Sequence, residues 1–244
     1  MSRDAWLDRS RAAWDARAAR WDAAAERHRR DPSRAADQER TIAALAIAPG
    51  DTLLDAGCGS GQWTIDLALR GFSVTALDLS PGVLDLARAR ASAEDAPPVR
   101  WLAADLAATG LAAGTLDAVL CRAALHFVPE PAAALQEFAR ILRPGGRLLA
   151  SVPGALSPIY RSSWERHLPG PAGEVNWITP WELEFLLAAT GWAVVDGWGD
   201  YGGDIHGDPN PFIGDALAGL DLRLRQAAAT TWCVIACRDP GGTG

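Results

Sequence analysis

Three glycines at alternate positions, Gly57, Gly59 and Gly61, follow an apolar run that closes on an acid, giving LLDAGCGSGQW over residues 53–63. Glycine permits left-handed backbone and a close approach of main chain to ligand. The segment therefore reads as a buried strand carrying Leu53 and Leu54, with Asp55 at its carboxyl end, then a ligand loop, then a helix that Ser60 is placed to cap. Open α/β sheets bind their ligands beyond the carboxyl ends of the strands. The G-x-G-x-G spacing differs from the dinucleotide fingerprint G-x-G-x-x-G, and no G-x-x-x-x-G-K-[ST] phosphate loop occurs. Asp78 ends the next apolar run, about 20 residues beyond the loop, where a carboxylate can accept both hydroxyls of a ribose. The alternative is a helix cap, because Asp78 and Ser80 precede Pro81. Asp105 follows a third apolar run and can accept from an exocyclic N–H, while Leu106 can cover a ring face.

Composition removes several other chemistries. All 23 basic residues are arginine. No side chain can form a Schiff base with a carbonyl or with pyridoxal phosphate, and no lysine can serve a nucleoside triphosphate. Thirty acids give a net charge of −7 and a pI near 5.1, so a generic nucleic-acid footprint is missing. Cys58, Cys121, Cys233 and Cys237 form no C-x-x-C pair and read as buried thiols of a reducing cytoplasm, with no metal site. No apolar run reaches membrane-spanning length, and the charged N-terminus is unlike a signal peptide. The expectation is a cytoplasmic protein, monomer or homodimer, without nucleic-acid or membrane partners.

The elements that must position these residues alternate between strand and helix. Residues 2–30 predict a helix with Leu7, Trp14 and Trp21 on one stripe, ended by Asp31-Pro32 and read chiefly as packing. A second helix follows from about Ser33 to Ala48. Strands ending at Asp78 and Ala103, a fourth within 115–131 and a fifth within 142–153 come next, interleaved with helices. Helix WELEFLLAAT, with Thr179 as cap and Pro180 first, precedes strands WAVVDGW and TTWCVIACR. From Pro153 to Asn176 the alternation lapses into an aromatic, loop-rich insertion, read as a lid. Trp164, Trp177 and Trp181 there are either an aromatic wall for an acceptor or lid packing.

In this order the segments resemble class I S-adenosylmethionine-dependent methyltransferases of the small-molecule, ubiquinone-biosynthesis type, over residues 14–152. LLDAGCGSG matches motif I, an apolar strand followed by D/E-x-G-x-G-x-G. WDARAARWD resembles the aromatic-Asp segment that closes over the methionine end of the cofactor. Asp117-x-Val with Leu125-His126 resembles the segment after strand four, and LRPGGRLLASVP the family's post-motif. The resemblance implies a doubly wound, seven-stranded, mostly parallel sheet. It divides the chain into an N-terminal helical cap (1–48), a cofactor core (49–152), a lid insertion (153–179) and the C-terminal part of the core sheet (180–244).

It further implies S-adenosylmethionine as cofactor. Around it would stand Asp55, Gly57, Cys58, Gly59 and Gln62 of motif I, Asp78 and Leu79 at the ribose, Asp105 and Leu106 at the adenine, and Trp21 at the methionine end. Arg122, with Ala123, His126 and Phe127 after strand four, would stand beside its reactive methyl. His126, Phe127, Tyr160, Trp164 and Trp177 would hold a small-molecule acceptor. His126 is either a general base for a phenol or enol or a packing residue; His167 and His206 are weaker pocket candidates. Base-methylating enzymes place an N/D-P-P-Y/F motif after strand four, whereas Asn210-Pro211-Phe212 falls after strand six, so nucleic acid is discounted. A protein that keeps the fold and cofactor without transferring a methyl, such as a cyclase or binding partner, is the alternative.

Overall fold

A computed structural model describes residues 2–29, 34–157, 160, 175–201 and 219–238. Helices α1 (Arg3–Arg29) and α2 (Arg34–Leu45) precede β1 (Thr52–Ala56), α3 (Gln62–Leu69), β2 (Ser73–Asp78), α4 (Pro81–Ala93) and β3 (Arg100–Ala103). Then come β4 (Leu116–Arg122), a 3-10 turn (Leu125–Phe127), α5 (Pro131–Ile141), β5 (Leu142–Pro153), α6 (Pro180–Ala189), β6 (Trp192–Asp200), α7 (Leu222–Ala228) and β7 (Thr231–Arg238).

The strands form one seven-stranded sheet in the order β3-β2-β1-β4-β5-β7-β6. β1 through β5 pair in parallel, while β7 runs antiparallel to both β5 and β6. Connections leave β1 on one side toward β2 and β3, and the chain then crosses back to place β4 on the other side. The crevice between β1 and β4 is therefore the switch point at which such a sheet binds its ligand.

Both faces of the sheet are buried, so the central strands carry consecutive apolar runs, Leu53-Leu54 and Ala118–Cys121, rather than an alternation. Leu53 of β1 and Ala118 and Leu120 of β4 pack on one face with Leu45, Leu67 and Phe72. Leu54, Val119 and Cys121, one residue on, point to the opposite face with Leu135, Phe138 and Ile141 of α5. The period of two thus assigns each neighbour in sequence to a different layer. Asp117 fixes the register at the amino end, where its carboxylate accepts from the Thr52 amide and hydroxyl at 2.7 Å each and pairs with Arg143.

Several boundaries differ from the expected ones. α2 stops at Leu45 because Ala46 takes a left-handed φ of 54°, not at Ala48. Ser60 does not cap α3: Gly61 occupies the N-cap with φ 82°, and the Ser60 hydroxyl, turned inward and buried, accepts from Gln62 Nε2 at 3.1 Å. Thr179 does cap α6, accepting from the Glu182 amide while Glu182 Oε2 accepts from the Thr179 amide at 2.7 Å. The Asp31-Pro32 stop, most of the 153–176 insertion, including His167, and the segment holding His206 and Asn210-Pro211-Phe212 lie outside the described residues. No described helix is long and apolar enough to cross a membrane.

Phe138 is fully buried in α5 against the sheet. Phe138→Ala should lower unfolding free energy by about 3–5 kcal/mol. Urea titration should show it as a reduced midpoint at unchanged slope.

Candidate active site

The glycine loop turns back on the end of β2 rather than rising away from the sheet. Leu77 carbonyl accepts from the Gly57 and Cys58 amides at 2.7 and 2.9 Å, and Asp78 Oδ2 accepts from the Gly59 amide at 3.0 Å. Gly57 has φ 78°, and a Cβ there would stand 2.4 Å from the Ala124 Cβ, so both its backbone and its neighbour exclude a side chain.

Asp78 Oδ1 accepts from the Ser80 amide at 3.0 Å, but the cap of α4 is Ser80, whose hydroxyl accepts from the Val83 amide at 3.1 Å. Burial raises the Asp78 carboxyl above its usual range, opposed by the amides of Ser80 and Gly59. Asp55 lies beneath the loop, 3% exposed, with Oδ2 accepting from the Thr64 hydroxyl at 2.5 Å. Burial pushes its carboxyl up to about 6; the Thr64 hydrogen bond opposes the shift and the charge of Asp78 adds to it.

α1 roofs this crevice. Arg3 pairs with Asp105 and reaches Glu130 at 3.0 Å, and Trp6 Nε1 donates to the Phe127 carbonyl at 3.3 Å. Asp15 accepts from the Ser80 hydroxyl and from the Gly82 amide at the start of α4. Farther along, Asp22 and Glu26 pair with Arg90 of α4. Between these anchors Trp14 meets Trp21 and Phe127 edge to face, with ring centroids 5.3 and 4.9 Å apart.

Roof and sheet border one concave cavity with a mainly apolar wall. Trp21, Gly57, Gly59, Asp78, Leu79, Asp105, Leu106, Arg122 and Phe127 all border it. Asp55, Cys58 and Gln62 belong to the loop but do not face the cavity, and burial pushes the Cys58 thiol well up. Tyr160 and Trp177 pair with each other at 4.9 Å, away from the cavity, and Trp164 lies outside the described residues.

His126 is 2% exposed behind Phe127, with neither ring nitrogen hydrogen-bonded, and it does not line the cavity. Burial lowers its pKa to about 4, so the imidazole is neutral near pH 7. Leu7 and Ser10 of α1 also line the cavity and were not foreseen as site residues, while Trp14, which lines it too, opens the WDARAARWD segment expected to close over the cofactor. Their spacing, with Trp21, is the same stripe that sequence reading assigned to packing; the buried Ser10 within it was the available signal.

Residues 54–150 match a family described as "Methyltransferase domain". A demethylmenaquinone methyltransferase of Mycolicibacterium vanbaalenii is 33% identical over 175 residues, 64% of this chain and 74% of the relative. The chain belongs to the class I S-adenosylmethionine-dependent methyltransferases. A malonyl-[acyl-carrier protein] O-methyltransferase of Serratia marcescens is 38% identical over 113 residues, 46% of this chain but 42% of the relative. The chain thus spans about half the length of several curated relatives that it matches. Among solved structures, the complex between the Haloferax volcanii Trm112 methyltransferase activator and a methyltransferase superposes at TM-score 0.69 and 22% identity, covering 96% of this chain and 99% of that one. The [4+2]-cyclase SpnF superposes at 0.60 and 19% identity, covering 84% and 80%. These two likenesses concern the fold.

Asp55 and His126 give opposite tests of burial. Because folding raises the Asp55 carboxyl from 3.8 to about 6, the native state holds its proton more tightly there. Its contribution to stability therefore declines as pH rises through that window and is constant above it, a difference of roughly 3 kcal/mol. Asp55→Asn should remove that part of the slope in urea titrations at a series of pH values. His126→Leu, which replaces two unpaired buried nitrogens by carbon, should leave the urea midpoint unchanged or raised.

Proposed function

We propose that the protein transfers the methyl group of S-adenosylmethionine to an oxygen, nitrogen or carbon of a small, apolar, partly aromatic acceptor. The observation that carries this reading is one continuous cavity with two kinds of wall. Asp78 and Asp105 stand at the ends of adjacent strands, and apolar side chains of α1 and the 3-10 turn face them.

The residues present fit the cofactor. Each carboxylate oxygen can accept a second bond, so Asp78 retains capacity for ribose hydroxyls beyond the two amides it already serves. Leu79 and Leu106 offer apolar surface to an adenine. At Gly59 a Cβ would meet only Trp21 Nε1, at 3.5 Å, so the bare backbone there leaves room for a chain of atoms between loop and roof.

When bound, the cofactor supplies a methyl group activated by a sulfonium. The protein's part is to align and to dry. In-line displacement gains much of its rate from holding two reactants in one orientation. Trp14, Trp21, Phe127 and Leu7 form a wall against which an aromatic acceptor can stack and from which water is excluded. Among the described residues no histidine lines the cavity, and the neutral His126 lies behind Phe127. The described wall contributes positioning, and an acceptor proton leaves to solvent at the cavity mouth. The names of relatives acting on demethylmenaquinone and in ubiquinone biosynthesis accord with an aromatic acceptor.

Titration calorimetry should show S-adenosylhomocysteine binding and NAD not. Asp78→Ala, folded as judged by circular dichroism, should weaken that binding by about 1–3 kcal/mol. Preference for NAD, or unaltered affinity in the variant, would refute the reading.

A further inference from the structure

Ser10 carries the one hydroxyl among the described side chains that line the cavity. It is 2% exposed, and Leu7 and Trp14, its neighbours on the wall about one turn to either side, are apolar. No hydrogen bond joins the hydroxyl to another described residue, not even to the carbonyl one turn back, where a serine inside a helix can turn. A hydroxyl taken out of water without a partner is costly. Alanine, which α1 uses at many other positions, would serve the helix better.

Helix periodicity fixes which part of the cavity the hydroxyl meets. Residues four apart share a face, so Ser10 lies between Trp6 and Trp14. Both of these touch Phe127: Trp6 Nε1 donates to its carbonyl at 3.3 Å, and the Trp14 ring stands 4.9 Å from its ring. Asp15, Asp22 and Glu26, which reach Ser80, Gly82 and Arg90 of α4, belong to a different face of α1. Ser10 therefore faces the 3-10 turn after β4 rather than the ribose side at the start of α4. That turn is the part of the wall assigned above to the acceptor.

We propose that Ser10 is a specificity-determining residue for the acceptor, its hydroxyl pairing with a neutral oxygen substituent, a hydroxyl or a carbonyl, on the ring that lies against Trp14 and Phe127. This deepens the acceptor reading above and rests on it. A hydroxyl donates one hydrogen bond and accepts two, so it serves either oxygen. An ionised substituent does not suit the place, because Leu7, Trp14 and Phe127 offer no counter-charge and burying an unpaired ion costs far more than burying a paired neutral group. A site built to pair an oxygen discriminates against analogues that lack it, since its own polar group is then left unpaired.

The test uses 2-naphthol and naphthalene, which share a ring system and differ by one hydroxyl, with equilibrium dialysis against protein saturated with S-adenosylhomocysteine. Ser10→Ala should weaken 2-naphthol binding roughly 5- to 30-fold and leave the affinities for naphthalene and S-adenosylhomocysteine unchanged. Ser10→Thr, which keeps the hydroxyl, should retain most of the discrimination, an outcome that a packing role would not give. Alanine favours the helix, so the decisive variant keeps its fold. Equal losses for both ring compounds, no loss for either, or a loss of S-adenosylhomocysteine affinity in Ser10→Ala would overturn the proposal and leave the transferase reading intact. Failure of the loaded, unaltered protein to bind either ring compound would overturn it together with the aromatic acceptor. Failure to bind S-adenosylhomocysteine at all would overturn the transferase reading itself.

Discussion

The turn from Ala56 to Gln62 is confined from two directions, and that confinement shapes the crevice. Below it, the Leu77 carbonyl draws two successive amides toward β2. Above it, Ala124 stands where a Gly57 side chain would be. A chain with Cβ atoms could satisfy neither, because the left-handed backbone and the close approach occur at the same residue. Asp78 then completes the arrangement by joining the Gly59 amide to the Ser80 amide across the ends of β1 and β2. The loop, the second strand and the start of α4 are thereby one unit. The cavity inherits its shape from that unit, so its geometry depends on backbone hydrogen bonds and little on flexible side chains.

The sheet that carries this unit was legible in the sequence because its physics is local and repetitive. A strand buried on both faces must be apolar on both, and AVLC is, as is LLDA apart from Asp55 at the ligand end. Helix ends were less legible. Ser60 has the right type and place for a cap, yet Gly61 supplies the turn, since a left-handed residue at the N-cap directs the Ser60 hydroxyl inward. Ala46 ends α2 in a conformation that sequence does not announce for alanine. Both outcomes are set by what the backbone must reach next in space.

The site divides the same way. Asp78, Asp105 and the glycines belong to short stretches whose chemistry is evident from residue type, and the fold brings them to one cavity. The acceptor wall was assigned by sequence to the loop after strand four and the aromatic insertion; Phe127 of that loop borders the cavity, but Tyr160 and Trp177 turn toward each other, and Trp14 of α1 lines the cavity beside Trp21. Periodicity can identify an apolar stripe but says nothing of what it covers. A stripe over a void and a stripe over a core have the same spacing.

That difference has an energetic side. Along α1 only Ser10 and Ala18 are buried among the described side chains, whereas β1 and β4 are apolar and inaccessible almost throughout. The roof is held by Arg3 with Asp105 and Glu130, by Asp15 at α4, and by Asp22 and Glu26 with Arg90. Partly exposed ion pairs contribute only about 0–1 kcal/mol each, far below the burial of a single core leucine. Stability is therefore concentrated in the sheet, and the helix above the cavity belongs to the weakly held end of the distribution. The anchors cluster at its two ends and beside α4, which leaves Leu7, Ser10 and Trp14 facing the space where the ligands meet. A roof fixed by charge at its margins can be apolar at its centre, and this is why one helix can both close the cavity and furnish its acceptor wall.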